Sequence, residues 1–246
     1  MPWIYLSPHL DDVALSCGGL LWEQSQRGIE VGVWTLCAGD PPPGPLSEFS
    51  LSLHKRWNTE RETLAVRRNE DRIANAILGA STRHFPLPDC IYRKHSQTGA
   101  ALYASESSLF GELHPEDEIH IREIKPALTS TLPAGCTVVA PLALGHHVDH
   151  QLTRIIAESL YTSLWYYADY PYVLEPTAQS QIEALVAQKW NMCTYLVSDK
   201  GKKAWIQSVA AHATQISTFW SSQEEMTLAI EKCHASVGGV RLWHPP

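Results

Sequence analysis

A chain of 246 residues, 44% hydrophobic and 18% charged, has the composition of an ordinary globular protein and is long enough to bury a large core. Its net charge of −7 and the absence of any Lys/Arg cluster exclude nucleic acid as a general partner, because polyanion binding needs concentrated basic charge. No apolar run reaches the length needed to span a bilayer.

The first stretch, Trp3-Ile4-Tyr5-Leu6, predicts a buried strand running towards His9, with a helix opening at Asp11 or Asp12 and continuing to Arg27 before Gly28. The Met1–Tyr5 start lacks the basic residues and long apolar region of a signal peptide. The six cysteines (Cys17, Cys37, Cys90, Cys136, Cys193 and Cys233) are scattered without a C-x-x-C pair. Together these features predict a cytoplasmic protein with reduced thiols and no zinc knuckle. Glu30–Cys37 reads as a second strand, so the opening is a parallel βαβ unit whose ligand face is the carboxyl edge. No G-x-G-x-x-G follows the first strand.

Pro41–Pro45 predicts a rigid loop, and Trp57–Leu78 a helix stopped by Gly79. Leu64, Ile73, Ala74 and Ile77 form its apolar side; Arg61, Arg67, Arg68, Glu70 and Arg72 are read as mostly solvated or paired. His84–Leu87 ends a third strand, which puts Asp89 at the carboxyl edge. Residues 95–115 are a polar excursion or lid. His114-Pro115-Glu116-Asp117-Glu118 reads as a helix start with acids in its first turn, which explains them better than a metal site with His114 and His120. Pro126 is expected to kink or divide the helix that follows. Cys136–Pro141 is another buried strand, followed by Gly145-His146-His147-Val148-Asp149-His150 and a helix from Gln151 to Tyr161. Ser163–Tyr172 predicts an aromatic strand. Helices are expected at 178–189, 200–219 and 222–236, with a possible edge strand at Met192–Val197.

Two strand ends rich in His and Asp are hard to attribute to helix capping alone, although an N-cap with a bystander histidine explains either one. His9 and Asp12 at i,i+3 can face one side of a turn, and His150 can complete a three-ligand set around Zn²⁺, leaving a fourth position for water whose pKa falls to about 7. Asp11 is then the candidate general base. His147 can polarise a carbonyl or pass a proton to a leaving amine. Asp149 can orient a histidine from behind.

Pro8-His9-Leu10-Asp11-Asp12 together with Gly145-His146-His147-Val148-Asp149-His150 resembles the PIG-L/LmbE deacetylase family, whose members carry P-H-x-D-D and a later H-x-D-H. Ser7–Gly19 is similar to one bacterial branch, as are Arg67-Arg68-Asn69-Glu70, Pro88-Asp89, Tyr166–Tyr172 and Arg241-Leu242-Trp243. The resemblance implies a Rossmann-like α/β three-layer sandwich with a mostly parallel sheet. It also implies a zinc-dependent hydrolase that removes acyl groups, usually acetyl, from amino sugars of the N-acetylglucosamine type. It assigns His9, Asp12 and His150 to the metal, Asp11 to the base, His147 to oxyanion or acid work, and Arg67 and Asp89 to substrate. Val13 stands where many members have Glu, and Leu10 and Val148 where proline is common; none of the three is a ligand or the base. The adjacent His146 leaves open which histidine faces the substrate, and motif spacing favours His147.

One domain over 1–246 is expected, with a core at 1–170 and a helical and edge-strand extension at 171–246. The expected partner is a small-molecule or glycoconjugate substrate; a homo-oligomer is compatible with the sequence, and another divalent transition metal can replace zinc at such donors. The rival readings are a metal-dependent phosphoesterase and a non-catalytic metal- or glycan-binding member of the fold.

Overall fold

In a computed structural model, described for residues 1–59 and 62–246, the chain alternates strands and helices around one seven-stranded sheet. The elements run β1 (Trp3–Ser7), α1 (Asp12–Gln26), β2 (Val31–Thr35), α2 (Glu48–Arg56), α3 (Thr63–Leu78), β3 (Ser81–His84), α4 (Glu106–Leu109), α5 (Glu118–Thr131) and β4 (Thr137–Pro141). They continue with α6 (Val148–Glu158), β5 (Trp165–Tyr167), α7 (Pro176–Ala187), β6 (Asn191–Leu196), α8 (Asp199–Ala211), α9 (Ala213–Phe219), α10 (Gln223–Val237) and β7 (Gly239–His244). The sheet order is β3-β2-β1-β4-β5-β7-β6; the first five strands are parallel, and β7 runs antiparallel between β5 and β6. This is the expected α/β architecture. No helix among the described residues is long and apolar enough to cross a membrane.

β1 and β2 are mostly apolar and almost wholly buried because helices cover both faces of the sheet, the usual condition of parallel strands. One core joins Tyr5, Val33, Val139 and Leu242 to α1 and α8; the other joins Leu6, Val138 and Ala140 to α5, α6 and Trp243. Close packing of α8 on α1 explains Gly18: a Cβ there would lie 2.6 Å from Trp205 Cδ1, and Trp205 donates its indole N–H to the Leu15 carbonyl at 3.1 Å. Residues 171–246 thereby add two strands to the same sheet and lay α8 along α1.

Several boundaries differ from the sequence reading. Glu48–Arg56 is a helix, N-capped by Ser47, where no element was expected. The helix expected from Trp57 begins at Thr63; Arg61 lies outside the described residues. On α3, Ile73 is 48% exposed, whereas Arg67 and Glu70 are buried. Glu70 accepts from the Thr214 N–H and hydroxyl at 3.0 and 2.6 Å, so it joins α3 to α9 and is not solvated. Pro126 sits inside an unbroken α5. The expected long helix at 200–219 breaks at His212 into α8 and α9, and the aromatic strand is only three residues long.

Candidate active site

The order in which strands are added to the sheet reverses between β1 and β4: β2 and β3 follow β1 to one side, β4 and β5 lie to the other. Open α/β sheets form a crevice at such a switch, beyond the carboxyl ends of the strands. The β1–α1 turn carries His9, Asp11 and Asp12 into it, and the β4–α6 turn carries His147, Asp149 and His150.

The first turn is tied by Ser7, whose hydroxyl donates to the His9 carbonyl at 2.6 Å and accepts the Val13 N–H at 3.3 Å. Asp11 occupies the N-cap position of α1, yet its side chain caps nothing. That removes the plain helix-cap explanation for it. Its carboxylate is 6% exposed and lies 3.7 Å from Arg67 Nη2. Asp12 Oδ2 accepts the His9 backbone N–H at 2.7 Å and lies 3.2 Å from His9 Nδ1, while its Oδ1 lies 3.3 Å from His150 Nε2.

The second turn needs Gly145 at φ +83, where a Cβ would come within 2.8 Å of the Tyr172 ring. His146 follows at φ +60, exposed, while His147 is buried. His147 caps α6 with its imidazole: Nδ1 accepts the Asp149 N–H at 3.2 Å, which leaves the ring hydrogen of the neutral form on Nε2. His150, expected before the helix, is in its first turn. The rings of His9, His147 and His150 have centroids 4.9 to 5.5 Å apart.

His9, Asp11, Asp12, Arg67, Asp89 and His147 line one cavity of about 130 Å³; His150 and Asp149 are buried behind it. Arg67, on α3, stacks over Trp57 at 4.9 Å and lies 3.8 Å from Asp89. Asp89 also accepts the Ile91 N–H at 3.2 Å. A larger cavity of about 1,040 Å³ lies between the Pro41–Gly44 loop and α2, away from these groups.

Four further residues support the site. Asp169, fully buried, meets His150 Nδ1 at 2.5 Å and accepts the Leu144 N–H at 3.1 Å. Asp149 Oδ2 meets His9 Nε2 and accepts the Cys90 N–H, both at 2.9 Å, and its Oδ1 pairs with Arg93. Arg93 continues to Asp117 at 3.1 Å, and Tyr103 donates to Asp117. Asp117 is therefore no solvated helix-start acid but the end of a buried charge chain. A carboxylate at a strand's carboxyl end was the one available signal for Asp169; Arg93, Asp117 and Tyr103 offered none.

The electrostatics separate the two adjacent aspartates. Burial and the charge on Asp12 push Asp11 up to about 6. Burial pushes Asp12 the same way, but His150 and His9 outweigh it and hold Asp12 well below the usual carboxylate range. Burial lowers His147 far below an ordinary histidine, with His9 and His150 adding to the effect. His150 is lowered by burial, but Asp12 and Asp169 overcome this and hold it up at about 9.

The donors suit a cation. His150 Nε2 is buried without a hydrogen-bond partner while its other nitrogen rests on a carboxylate, an arrangement common to metal-ligating histidines. His9, His147 and His150 each offer a nitrogen within 4.8 Å of the others, and Asp12 reaches both His9 and His150. Two other groupings, Cys90/His147/Asp149 and His9/Asp89/Asp149, depend on Asp149. Its oxygens are already engaged by Cys90, His9 and Arg93, so the Asp12 set is the better fit.

The PIG-L family model, described as GlcNAc-PI de-N-acetylase, matches residues 4–161. The chain belongs to the PIG-L family. It is 31% identical over 187 residues to 2'-N-acetylparomamine deacetylase of Niallia circulans, covering 69% of this chain and 67% of that protein. A teicoplanin deacetylase solved in its zinc-inhibited form superposes with a TM-score of 0.80 at 24% identity, over 99% of this chain and 97% of that one. A deacetylase of the teicoplanin biosynthesis pathway gives a TM-score of 0.79 at 25% identity, over 99% and 97%. All three of these similar proteins are deacetylases by name.

Proposed function

We propose that this PIG-L member is a zinc-dependent N-deacetylase that hydrolyses the N-acetyl group of an N-acetylglucosamine-type amino sugar or glycoconjugate. The observation that carries this reading is the divergence of two adjacent carboxylates. Both line the cavity, but Asp12 turns to His9 and His150, whereas Asp11 caps nothing and faces Arg67.

His9, Asp12 and His150 would hold the metal, which when bound supplies Lewis acidity at the amide carbonyl and makes water more acidic. Asp11, with its carboxyl near 6, accepts the proton of the water whose oxygen bonds to the acetyl carbon. His147 stays neutral, so it donates Nε2–H to the carbonyl oxygen as negative charge develops there. The C–N bond then breaks, and Asp11 passes its proton to the departing nitrogen; the products are acetate and the free amine. Arg67, set between Asp11 and Asp89, keeps Asp11 ionised and offers guanidinium hydrogens to sugar hydroxyls, with Asp89 as the matching acceptor.

A phosphoesterase with two metals needs a second cluster bridged by carboxylates. Among the described residues, each metal-competent grouping includes His9 or His147 of this one site. The test is acetate release over a panel of N-acetylated sugars, with metal content measured on the purified protein. Activity should vanish on chelation and return with zinc. Hydrolysis of an aryl phosphate with no acetate from any N-acetyl sugar would overturn the reading.

A further inference from the structure

Three charged side chains lie in a row, each shielded from solvent: Asp117 immediately before α5, Arg93, and Asp149 in the first turn of α6. A buried ion pair adds little net stability over apolar side chains of similar volume, so folding alone does not account for the row. Its far end does. Asp149 meets His9, one of the proposed metal ligands.

Both oxygens of Asp149 are committed. Oδ2 accepts the Cys90 N–H and meets His9 Nε2, each at 2.9 Å, and Oδ1 pairs with Arg93. With Nε2–H given to Asp149, a neutral His9 keeps its lone pair on Nδ1, the nitrogen 3.2 Å from Asp12. That is the side on which Asp12 also reaches His150. The last torsion of a carboxylate is soft, so the single N–H of Cys90 does not fix its plane. Arg93, holding the opposite oxygen, does. His150 rests on a different carboxylate, Asp169, outside this row.

Arg93 is a long side chain and needs holding in its turn. Its Nη1 lies 3.1 Å from Asp117, and its guanidinium lies over the Tyr103 ring at 5.3 Å. Tyr103 donates its hydroxyl to Asp117 and accepts the His114 N–H at 2.8 Å, while the Arg93 carbonyl accepts the Leu102 N–H at 2.9 Å. Residues 95–115, expected as an excursion or lid, are thereby anchored around Arg93 at Leu102, Tyr103 and His114.

Building on the metal-site reading, we propose that Arg93 is a positioning residue of the metal centre, aiming Asp149 at His9 Nε2 and so His9 Nδ1 at the cation. Asp117 and the polar segment 95–115 are the strap that holds Arg93 in place.

The experiment measures zinc affinity by competition with a chromophoric chelator, and the visible spectrum of the cobalt-substituted protein as a signature of ligand geometry. It compares wild type, Arg93→Met, Arg93→Lys, Asp149→Asn and the Arg93→Met/Asp149→Asn double variant, with near-UV circular dichroism to establish folding. Arg93→Met should weaken zinc about 10-fold or more and shift the cobalt bands, the usual loss when support behind a ligating histidine is removed. Lysine restores a charge beside Asp149 without the fork that also reaches Asp117, so Arg93→Lys should weaken zinc by only about 3-fold. In the Asp149→Asn background, Arg93→Met should change zinc affinity by less than about twofold, because coupled residues are not additive and the route through Asp149 has gone. A folded Arg93→Met with wild-type zinc affinity, or equal losses in the two backgrounds, overturns the proposal. If Arg93→Met does not fold, Asp117→Asn takes its place in both backgrounds, with a loss of about 3-fold expected in the first and none in the second, and the same two outcomes overturn the proposal. A wild-type protein that binds no zinc overturns the metal-site reading and this proposal with it; zinc bound equally by wild type and variants overturns the proposal alone.

Discussion

Asp169→Asn isolates what the buried carboxylate behind His150 does for the metal site. Asp169 is fully buried and has two bonds, to His150 Nδ1 at 2.5 Å and from the Leu144 N–H at 3.1 Å. Asparagine preserves the size and can still accept from Leu144, so the β4–α6 loop keeps its tie. It removes the negative charge that makes His150 Nε2 electron-rich. A hydrogen bond to a charged group contributes about 1.5–3 kcal/mol against about 1 for a neutral one, so the loss at His150 is roughly 1–2 kcal/mol. Carboxylates that orient metal-bound histidines are worth about 10–100-fold in affinity, which is the same range at ~1.4 kcal/mol per decade. The assay is competition between the metal-free protein and a chromophoric zinc chelator, with near-UV circular dichroism to establish that the variant is folded. Zinc affinity should fall about 10-fold or more. A folded variant within twofold of wild type would refute the reasoning that Asp169 supports a metal ligand.

Other outcomes follow from packing and burial. Gly18→Ala puts a methyl 2.6 Å from Trp205, in the seam between α1 and α8, and should lower unfolding free energy in urea by about 1–3 kcal/mol. Tyr103→Phe removes a hydroxyl that donates to Asp117 and accepts the His114 N–H at 2.8 Å; it should cost about 1–3 kcal/mol while the Arg93–Asp149 pair persists. His212 is held down to about 3 by burial, with Arg67 reinforcing the effect. Its depressed folded pKa means that its contribution is complete above the unfolded value of about 6.5 and is lost as pH falls towards 3, at about 1.4 kcal/mol per unit. His212→Asn should therefore flatten the fall in stability between pH 6.5 and 5 by one proton; an unchanged slope would contradict this.

The sequence reading reached furthest where chemistry and chain position coincide. His9, Asp11 and Asp12 follow directly on one strand, and His147 to His150 on its neighbour, so locating two short apolar runs located both turns. The cap explanation for Asp11 could be set aside only in three dimensions, because it depends on where a carboxylate points. Arg93, Asp117 and Tyr103 were illegible for another reason: their pairing spans a polar excursion, and an acid two residues after a proline looks like any solvated first-turn carboxylate. The α2 helix hid behind Phe49, Leu51 and Leu53, which alternate with a strand-like period of two. β7 was missed because its partner β5 lies about seventy residues earlier, and pairing between distant strands leaves no local signal.

The sharpest division of labour is between Asp11 and Asp12, and Asp11→Asn tests it most directly. The variant keeps His9, Asp12 and His150 intact, so metal content should equal that of wild type. Acetate release from an N-acetylglucosamine glycoside should fall by about 10²-fold or more, the usual loss of a general base. Acetate release within a few-fold of wild type, with the metal still bound, would contradict the assignment of the base.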